Sequence, residues 1–94
     1  MTTPHFVLLI APSSEGRPAR LGVTASKHVG DAVRRNRTKR LVREAFRLHP
    51  ELFPDGIDLV VIARAGAPTL SLADVVAEWT AVRSLVAKRA KRRV

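Results

Sequence analysis

Three short apolar segments and two longer segments with helical periodicity alternate along the chain. The apolar runs at residues 5–11, 20–26 and 57–65 lie between loops rich in Pro, Gly and Ser, and this predicts three strands. The segment at residues 31–48 repeats apolar side chains with the period of a helix, and so does the segment from residue 71 onward. The pattern therefore predicts the element order β-β-α-β-α.

The helix ends carry recognisable polar signals. Asp31 is a favourable N-cap for the first helix, and Pro50 helps to end it after Leu48. Ser71 and Asp74 form an approximate capping box for the second helix. Its apolar residues follow the spacing of one continuous helix toward the C-terminus: Leu72, Val75, Val76, Trp79, Val82 and Val86. The basic end of the chain, AKRAKRRV, is expected to fray.

The lengths of the connections indicate how the strands pair. The short loop between the first two strands favours an antiparallel hairpin, whereas the helix between the second and third strands favours a parallel crossover. The third strand is apolar on both faces, which is typical of a sheet covered on both sides. We predict one domain, residues 1–94, of the α/β (α+β) class with a small mixed sheet.

Composition narrows the class of protein. Hydrophobic residues make up 46% of the 94 residues, too many for a disordered chain. The absence of cysteine excludes disulfides and thiolate metal sites. No apolar run reaches the roughly 18 residues of a membrane span, and the N-terminus lacks the basic segment of a signal peptide. We therefore expect a cytoplasmic protein with no membrane partner.

The charge is strongly positive and clustered. Seventeen Lys and Arg oppose eight Asp and Glu, giving a net charge of +9. Seven of the basic residues lie between Arg34 and Arg47, and six between Arg83 and Arg93. Such an excess attracts polyanions, with nucleic acid the first candidate and an anionic membrane surface the second.

The first helix separates its apolar and charged residues. On a helical wheel, Leu41, Ala45 and Leu48 fall together with Val42 beside them, and this predicts the core stripe. Lys39 borders the opposite face, and Arg35 and Arg37 lie on the two shoulders. That opposite face carries a polar row at helical spacing: Asn36, Arg40, Arg43 and Arg47.

The polar row has two interpretations. It is either an ordinary solvated helix face or a surface for a polyanion. Like charges three or four residues apart repel by about 0.2–0.5 kcal/mol per pair, and only Glu44 offsets seven cations. Arg outnumbers Lys, and its planar fork grips phosphate in bidentate fashion. These features favour nucleic acid, and Asn36 adds an amide able to contact a base edge, a 2′-hydroxyl or a hydrated metal ion.

The segment SKHVGDAVRRNRTKRLVREAFR, residues 26–47, closely resembles the signature of the bacterial ribonuclease P protein subunit. Its centre is the box Arg35-Asn36-Arg37, followed by Lys39, Arg40 and Leu41. HFVLLIAP, RLGVTASK and DLVVIARAGA resemble the strands of the family, and LSLADVVAEWTAVRSLVAKRA resembles its C-terminal helix. The resemblance implies a two-layer α/β sandwich whose basic helix lies in a left-handed crossover.

The resemblance also implies a function. In this family an RNA molecule, using magnesium, removes the 5′ leader from precursor tRNA. The protein is an auxiliary subunit that binds the catalytic RNA and the leader, with no catalytic residue and no metal or cofactor of its own. The implied RNA contacts here are Lys27, His28, Arg34, Arg35, Asn36, Arg37, Lys39, Arg40, Arg43 and Arg47.

The leader cleft is the part of the resemblance where this chain departs from the family. Family members open with a further helix and a short strand, and we expect both to be missing here. Phe6 and Leu9 are the implied cleft residues. Without the helix, we expect the sheet face near Phe6, Leu8 and Leu59 to lose a cover and the chain to be marginally stable.

Other functions fit the sequence less well. A small ribosomal or other structured-RNA-binding protein would share the charge and size but not the Arg-Asn-Arg box in its strand–helix context. A DNA-binding module would need a helix-turn-helix pairing, which does not precede the basic helix. A stand-alone nuclease would need clustered metal ligands, whereas His5, His28 and His49 stand in unrelated settings.

Overall fold

The computed structural model describes residues 1–13 and 16–91. Within these residues, three strands form one sheet and three α-helices accompany it. The first half of the chain contains β1 (Phe6–Pro12), β2 (Arg20–Ala25) and α1 (Ala32–Leu48). The second half contains β3 (Ile57–Ala63), α2 (Leu72–Thr80) and α3 (Arg83–Lys91). The predicted mixed α+β class with a small sheet is confirmed.

The strand order in the sheet is β1-β3-β2. The parallel pairing of β2 with β3 confirms the predicted crossover through α1. The predicted hairpin is wrong, because β3 lies between β1 and β2 and pairs antiparallel with β1. Residues 13–19 can span about 20 Å, whereas crossing one intervening strand takes about 10 Å. The loop is therefore long enough to place the most apolar strand in the centre.

The two faces of the sheet differ in burial. Phe6, Leu8 and Leu59 lie on the face that packs against the helices and are fully buried. The expectation that this face loses its cover is therefore wrong. The opposite face is open, with Leu9 50% and Val60 37% exposed. Among the described residues the sheet is thus covered on one side, not on both as β3 suggested.

The N-cap of α1 forms as predicted, because the Asp31 carboxylate accepts a hydrogen bond from the Arg34 backbone N–H at 3.0 Å. The buried stripe, however, consists of Thr38, Val42 and Ala45. The Thr38 hydroxyl donates to the Arg34 carbonyl at 3.0 Å, which satisfies its polar group in the core. At 100° per residue, Leu48 lies about 80° around the helix from Thr38. This places Leu48 beside the stripe, where it is 44% exposed, and corrects its predicted place in the core.

The C-terminal segment forms two helices instead of the one predicted. The capping box of Ser71 and Asp74 is present as expected. The Thr80 hydroxyl then donates to the Val76 carbonyl at 2.7 Å, and such back-bonding bends helices. A tighter turn follows, with the Val82 N–H bonded to the Trp79 carbonyl. α3 consequently packs against β1 and runs to Lys91, while the remainder of the expected frayed end lies outside the described residues.

Glu78 on α2 ties the second helix to the segment before β1. Its carboxylate accepts from the His5 backbone N–H at 2.6 Å and contacts His5 Nδ1 at 3.0 Å, and its side chain is 9% exposed. Burial by itself would raise the pKa of Glu78. Hydrogen bonds from Thr3 and from His5 outweigh the burial and hold this pKa below its usual value. The ionised carboxylate therefore stabilises the fold.

We expect Glu78→Gln to lower the free energy of unfolding at pH 7 by about 1–2 kcal/mol, since a charge-assisted bond in a half-buried site is lost. Because the folded pKa is depressed, this contribution is complete above the unfolded value near 4.5 and disappears as the pH falls through the folded pKa. Denaturant titrations from pH 7 to pH 3 should show the variant approaching the parent in acid. Glu44→Gln, at an exposed ion pair, is the control and should change little. A constant difference at every pH would contradict this account.

Candidate nucleic-acid interface

The outward face of α1 carries a continuous basic row, defined here as Asn36, Lys39, Arg40, Arg43 and Arg47. These side chains, together with Glu44, line one shallow depression of about 370 Å³. From Asn36 to Arg47 the row extends about 16 Å at 1.5 Å per residue. The sequence predicts Asn36, Arg40, Arg43 and Arg47 on one face with Lys39 at its border, and the structure confirms this arrangement.

Packing of the opposite face holds the basic row in place. Val42 and Ala45 are fully buried against the core, and α1 packs against β2 and α2. The middle of the helix is therefore anchored in the core, and its outward side chains project at a regular spacing. This arrangement presents an ordered series of donors to a repeating polyanion, because a docked helix does not have to become ordered on binding.

The charge of the basic row is largely uncompensated. Within residues 1–13 and 16–91, the one ion pair on α1 joins Arg47 Nη2 and Glu44 Oε1 at 2.6 Å. Lys39, Arg40 and Arg43 form no ion pair with any described acid. Their charges produce a positive potential over the exposed helix face, which is the electrostatic footprint of a nucleic-acid surface.

Arg34 and Arg37 lie on a different flank of α1. They line a separate depression of about 350 Å³ with Val29 and the loop that follows β3, where Gly66, Pro68 and Thr69 contribute. The resemblance implies an RNA contact at every basic residue of this helix. The structure places these residues on two surfaces. Arg34 lies next to the loop that follows β3, whereas the basic row faces away from the sheet.

Gly30 makes room for Arg34. Its φ of 147° is unfavourable for other residues, and a Cβ there would lie 2.9 Å from Arg34 Cδ.

Arg35 is half-buried, and its Nε has no hydrogen-bond partner among the described residues. The sequence does not predict that Pro68 and Thr69 lie beside Arg34, because the segment GAPTL has only the composition of a loop.

Lys27 and His28 stand in a short 3₁₀ turn just before α1. The Ser26 hydroxyl accepts from the His28 backbone N–H at 3.3 Å, and buried Val29 anchors the turn. Both basic side chains are exposed. They therefore add two exposed basic side chains just before the N-terminal end of the helix.

The two expected cleft residues do not lie together. Phe6 is fully buried and packs edge-on against Trp79, with ring centroids 6.0 Å apart, so it is unable to touch RNA. Leu9 is on the open face of the sheet. The placement of Phe6 in a leader cleft is thus corrected. Positions 6 and 9 differ by an odd number, and in a strand such positions point to opposite faces.

Within the described parts of the chain, no group of three or more His, Cys, Asp and Glu side chains is arranged to hold a metal ion. None of the helices there is both long and apolar enough to cross a bilayer.

Comparison with known proteins identifies similar chains. The family model described as Ribonuclease P matches residues 1–88. The ribonuclease P protein component of Syntrophus aciditrophicus is 42% identical over 76 residues, which cover 81% of this chain and 63% of the relative. That of Desulfovibrio desulfuricans is 46% identical over 79 residues, with 81% and 61% covered. The chain thus spans about three fifths of the length of these curated relatives.

Solved structures agree with the fold. The RNase P protein of Staphylococcus aureus superposes with a TM-score of 0.72 at 32% identity, over 97% of this chain and 79% of the other. The RNase P protein of Thermotoga maritima gives a TM-score of 0.74 at 28% identity, over 100% and 83%. The sheet and helices described above are therefore the architecture of these proteins.

Proposed function

Because the chain belongs to the Ribonuclease P family, we propose that it is the protein subunit of a tRNA-processing ribonuclease whose catalyst is an RNA. The observation that carries this proposal is the basic row, a rigid and largely unneutralised set of donors on α1. In the proposed complex the row binds phosphates of the catalytic RNA. Lys27, His28, Arg34, Arg35 and Arg37 contact the same RNA around the helix N-terminus.

The proposed partners also include the 5′ leader of precursor tRNA. The open sheet face offers Leu9 and Val60 as exposed apolar contacts, with Val7 and Ile62 half-buried beside them. An exposed apolar surface suits single-stranded RNA, whose unstacked bases need apolar contact. We assign the leader to this face. A cytoplasmic location follows from the proposed role in tRNA processing.

Chemistry in this proposal belongs to the RNA. Magnesium is the ion of the holoenzyme, held by RNA, and the protein contributes position and charge. Cations placed along the RNA reduce the repulsion between its phosphates, so the folded complex forms with less magnesium.

The direct test is cleavage of precursor tRNA by protein alone, by catalytic RNA alone and by both together across a magnesium series. We expect no cleavage by protein alone, and cleavage by the mixture at lower magnesium than by RNA alone. Cleavage by purified, RNA-free protein would overturn the proposal. A mixture indistinguishable from RNA alone would also contradict it.

Asn36 provides a sharper test of the basic row. We expect Asn36→Ala to raise the magnesium concentration for half-maximal cleavage by about fivefold, since one hydrogen bond worth about 1 kcal/mol is lost at the RNA surface. The amide is exposed, so the thermal midpoint of the protein should not change. Ser84→Ala on α3, also exposed, is the matched control. An unchanged magnesium requirement in Asn36→Ala would remove this side chain from the interface.

A further inference from the structure

A small apolar pocket opens at the C-terminal end of α1, beside the basic row. Its volume is about 170 Å³, well below the roughly 300–1,000 Å³ of pockets for drug-sized ligands. The rings of Phe46 and Phe53 lie 5.6 Å apart at 30° within it. The pocket is the size of a single planar ring system. Its main lining residues are Pro18, Phe46, Arg47, Pro50, Phe53 and Asp55.

Phe46 differs from the other aromatic residues of the chain. Phe6, Phe53 and Trp79 are buried, whereas Phe46 is only half-buried. Of the four aromatic side chains in the sequence, Phe46 therefore has the accessible surface for a stacking contact. The two proline rings enlarge the apolar wall around it without adding polar groups.

Arg47 connects this pocket to the basic row. It lines both depressions, and one of its N–H groups is occupied by Glu44. A guanidinium has five N–H donors, so others remain for a phosphate. Asp55 supplies an exposed carboxylate on the pocket lining, and a carboxylate accepts the N–H groups that nucleobases carry on their edges.

We propose that this pocket receives one unstacked base of the RNA bound along the basic row. The inference rests on the proposed RNA-binding function. The base packs against Phe46, its phosphate contacts Arg47, and an N–H on its edge faces Asp55. The occupant is thus an unpaired nucleotide at the boundary of a helical region, since a base inside a duplex is unable to enter a pocket of this kind.

The test uses the full chain and RNA hairpins that carry a single-stranded extension with 2-aminopurine at successive positions. We expect protein to quench one position, with quenching lost in Phe46→Leu and retained in Phe46→Tyr. An abasic nucleotide at that position should weaken binding by about tenfold, which corresponds to the loss of one base–aromatic stack. The same abasic nucleotide should not change the affinity of the Phe46→Leu variant for the hairpin.

The outcomes separate this inference from the function on which it rests. Salt-dependent hairpin binding with equal quenching at every position, or with quenching unaffected by Phe46→Leu, overturns the pocket and leaves the basic row intact. A complete lack of hairpin binding overturns both. If Phe46→Leu fails to fold, the effect of the abasic nucleotide on binding by the parent protein still tests the pocket.

Discussion

Replacing Arg40 and Arg43 together by Gln is expected to weaken binding to the catalytic RNA by roughly tenfold to a hundredfold near physiological salt. Each lost cation removes a charge-assisted contact and the release of the counterions that it displaced. The slope of log affinity against log salt should decrease by about 1.5, since each phosphate contact contributes about 0.7–0.9. Equilibrium binding measured over a salt series gives both quantities.

The control for this prediction removes the same charge elsewhere. Arg83 and Arg89 on α3 are exposed, and replacing both by Gln leaves the basic row untouched. We expect a smaller loss of affinity than in the Arg40/Arg43 variant. Both pairs lie on helix surfaces, where Gln is a good helix former, so the thermal midpoints should stay close to the parent. A salt slope unchanged in the Arg40/Arg43 variant would exclude α1 from the interface.

Trp79→Ala is expected to lower the free energy of unfolding by about 3–5 kcal/mol. Trp79 is 1% exposed and meets two rings edge-on, Phe6 at 6.0 Å and Phe53 at 5.4 Å. It joins β1, α2 and the segment after α1, so its removal leaves a cavity where these parts meet. The total free energy of unfolding of a small domain is about 5–15 kcal/mol, so this loss is a large fraction of it. Denaturant unfolding followed by far-ultraviolet circular dichroism measures the change without the tryptophan signal.

Two further variants show that packing is the cause. Trp79→Phe keeps an aromatic ring and loses no hydrogen bond, because Trp79 Nε1 has no partner among the described residues. It should cost clearly less than Ala. Leu85→Ala, on an exposed side chain of α3, should change the stability by no more than about 0.5 kcal/mol. A Trp79→Ala protein as stable as the Leu85→Ala protein would contradict the importance of this cluster.

Features determined by neighbouring residues could be predicted from the sequence. The cap at Asp31, the capping box at Ser71 and the helix of residues 32–48 depend on contacts within one turn, and all are present. The pairing of β1 could not be predicted in the same way. It depends on β3, more than forty residues later, whose two edges hydrogen-bond to one strand each.

Differences at individual residues have similar causes. The helical wheel predicts Leu48 in the core stripe beside Leu41 and Ala45, but the buried stripe is centred on Thr38, whose hydroxyl is satisfied by the helix itself. The resemblance implies RNA contacts at both Arg34 and Arg40, and the two side chains line different depressions. What separates them is the loop after β3, which packs beside the helix start and is remote in sequence. The wheel gives the direction of a side chain, and only the tertiary structure shows what it meets.

The central position of β3 has a consequence for biosynthesis. During translation neither β1 nor β2 gains a sheet neighbour until residues 57–63 have emerged, so α1 is made before the surface on which it packs. A 17-residue helix with seven cations and one acid is marginal in isolation. A nascent chain that ends after α1 therefore contains every residue of the basic row but no rigid helix to display them. The basic row is therefore held in place only after the last strand has closed the sheet, and any partner that needs this ordered row has to wait until the protein has folded.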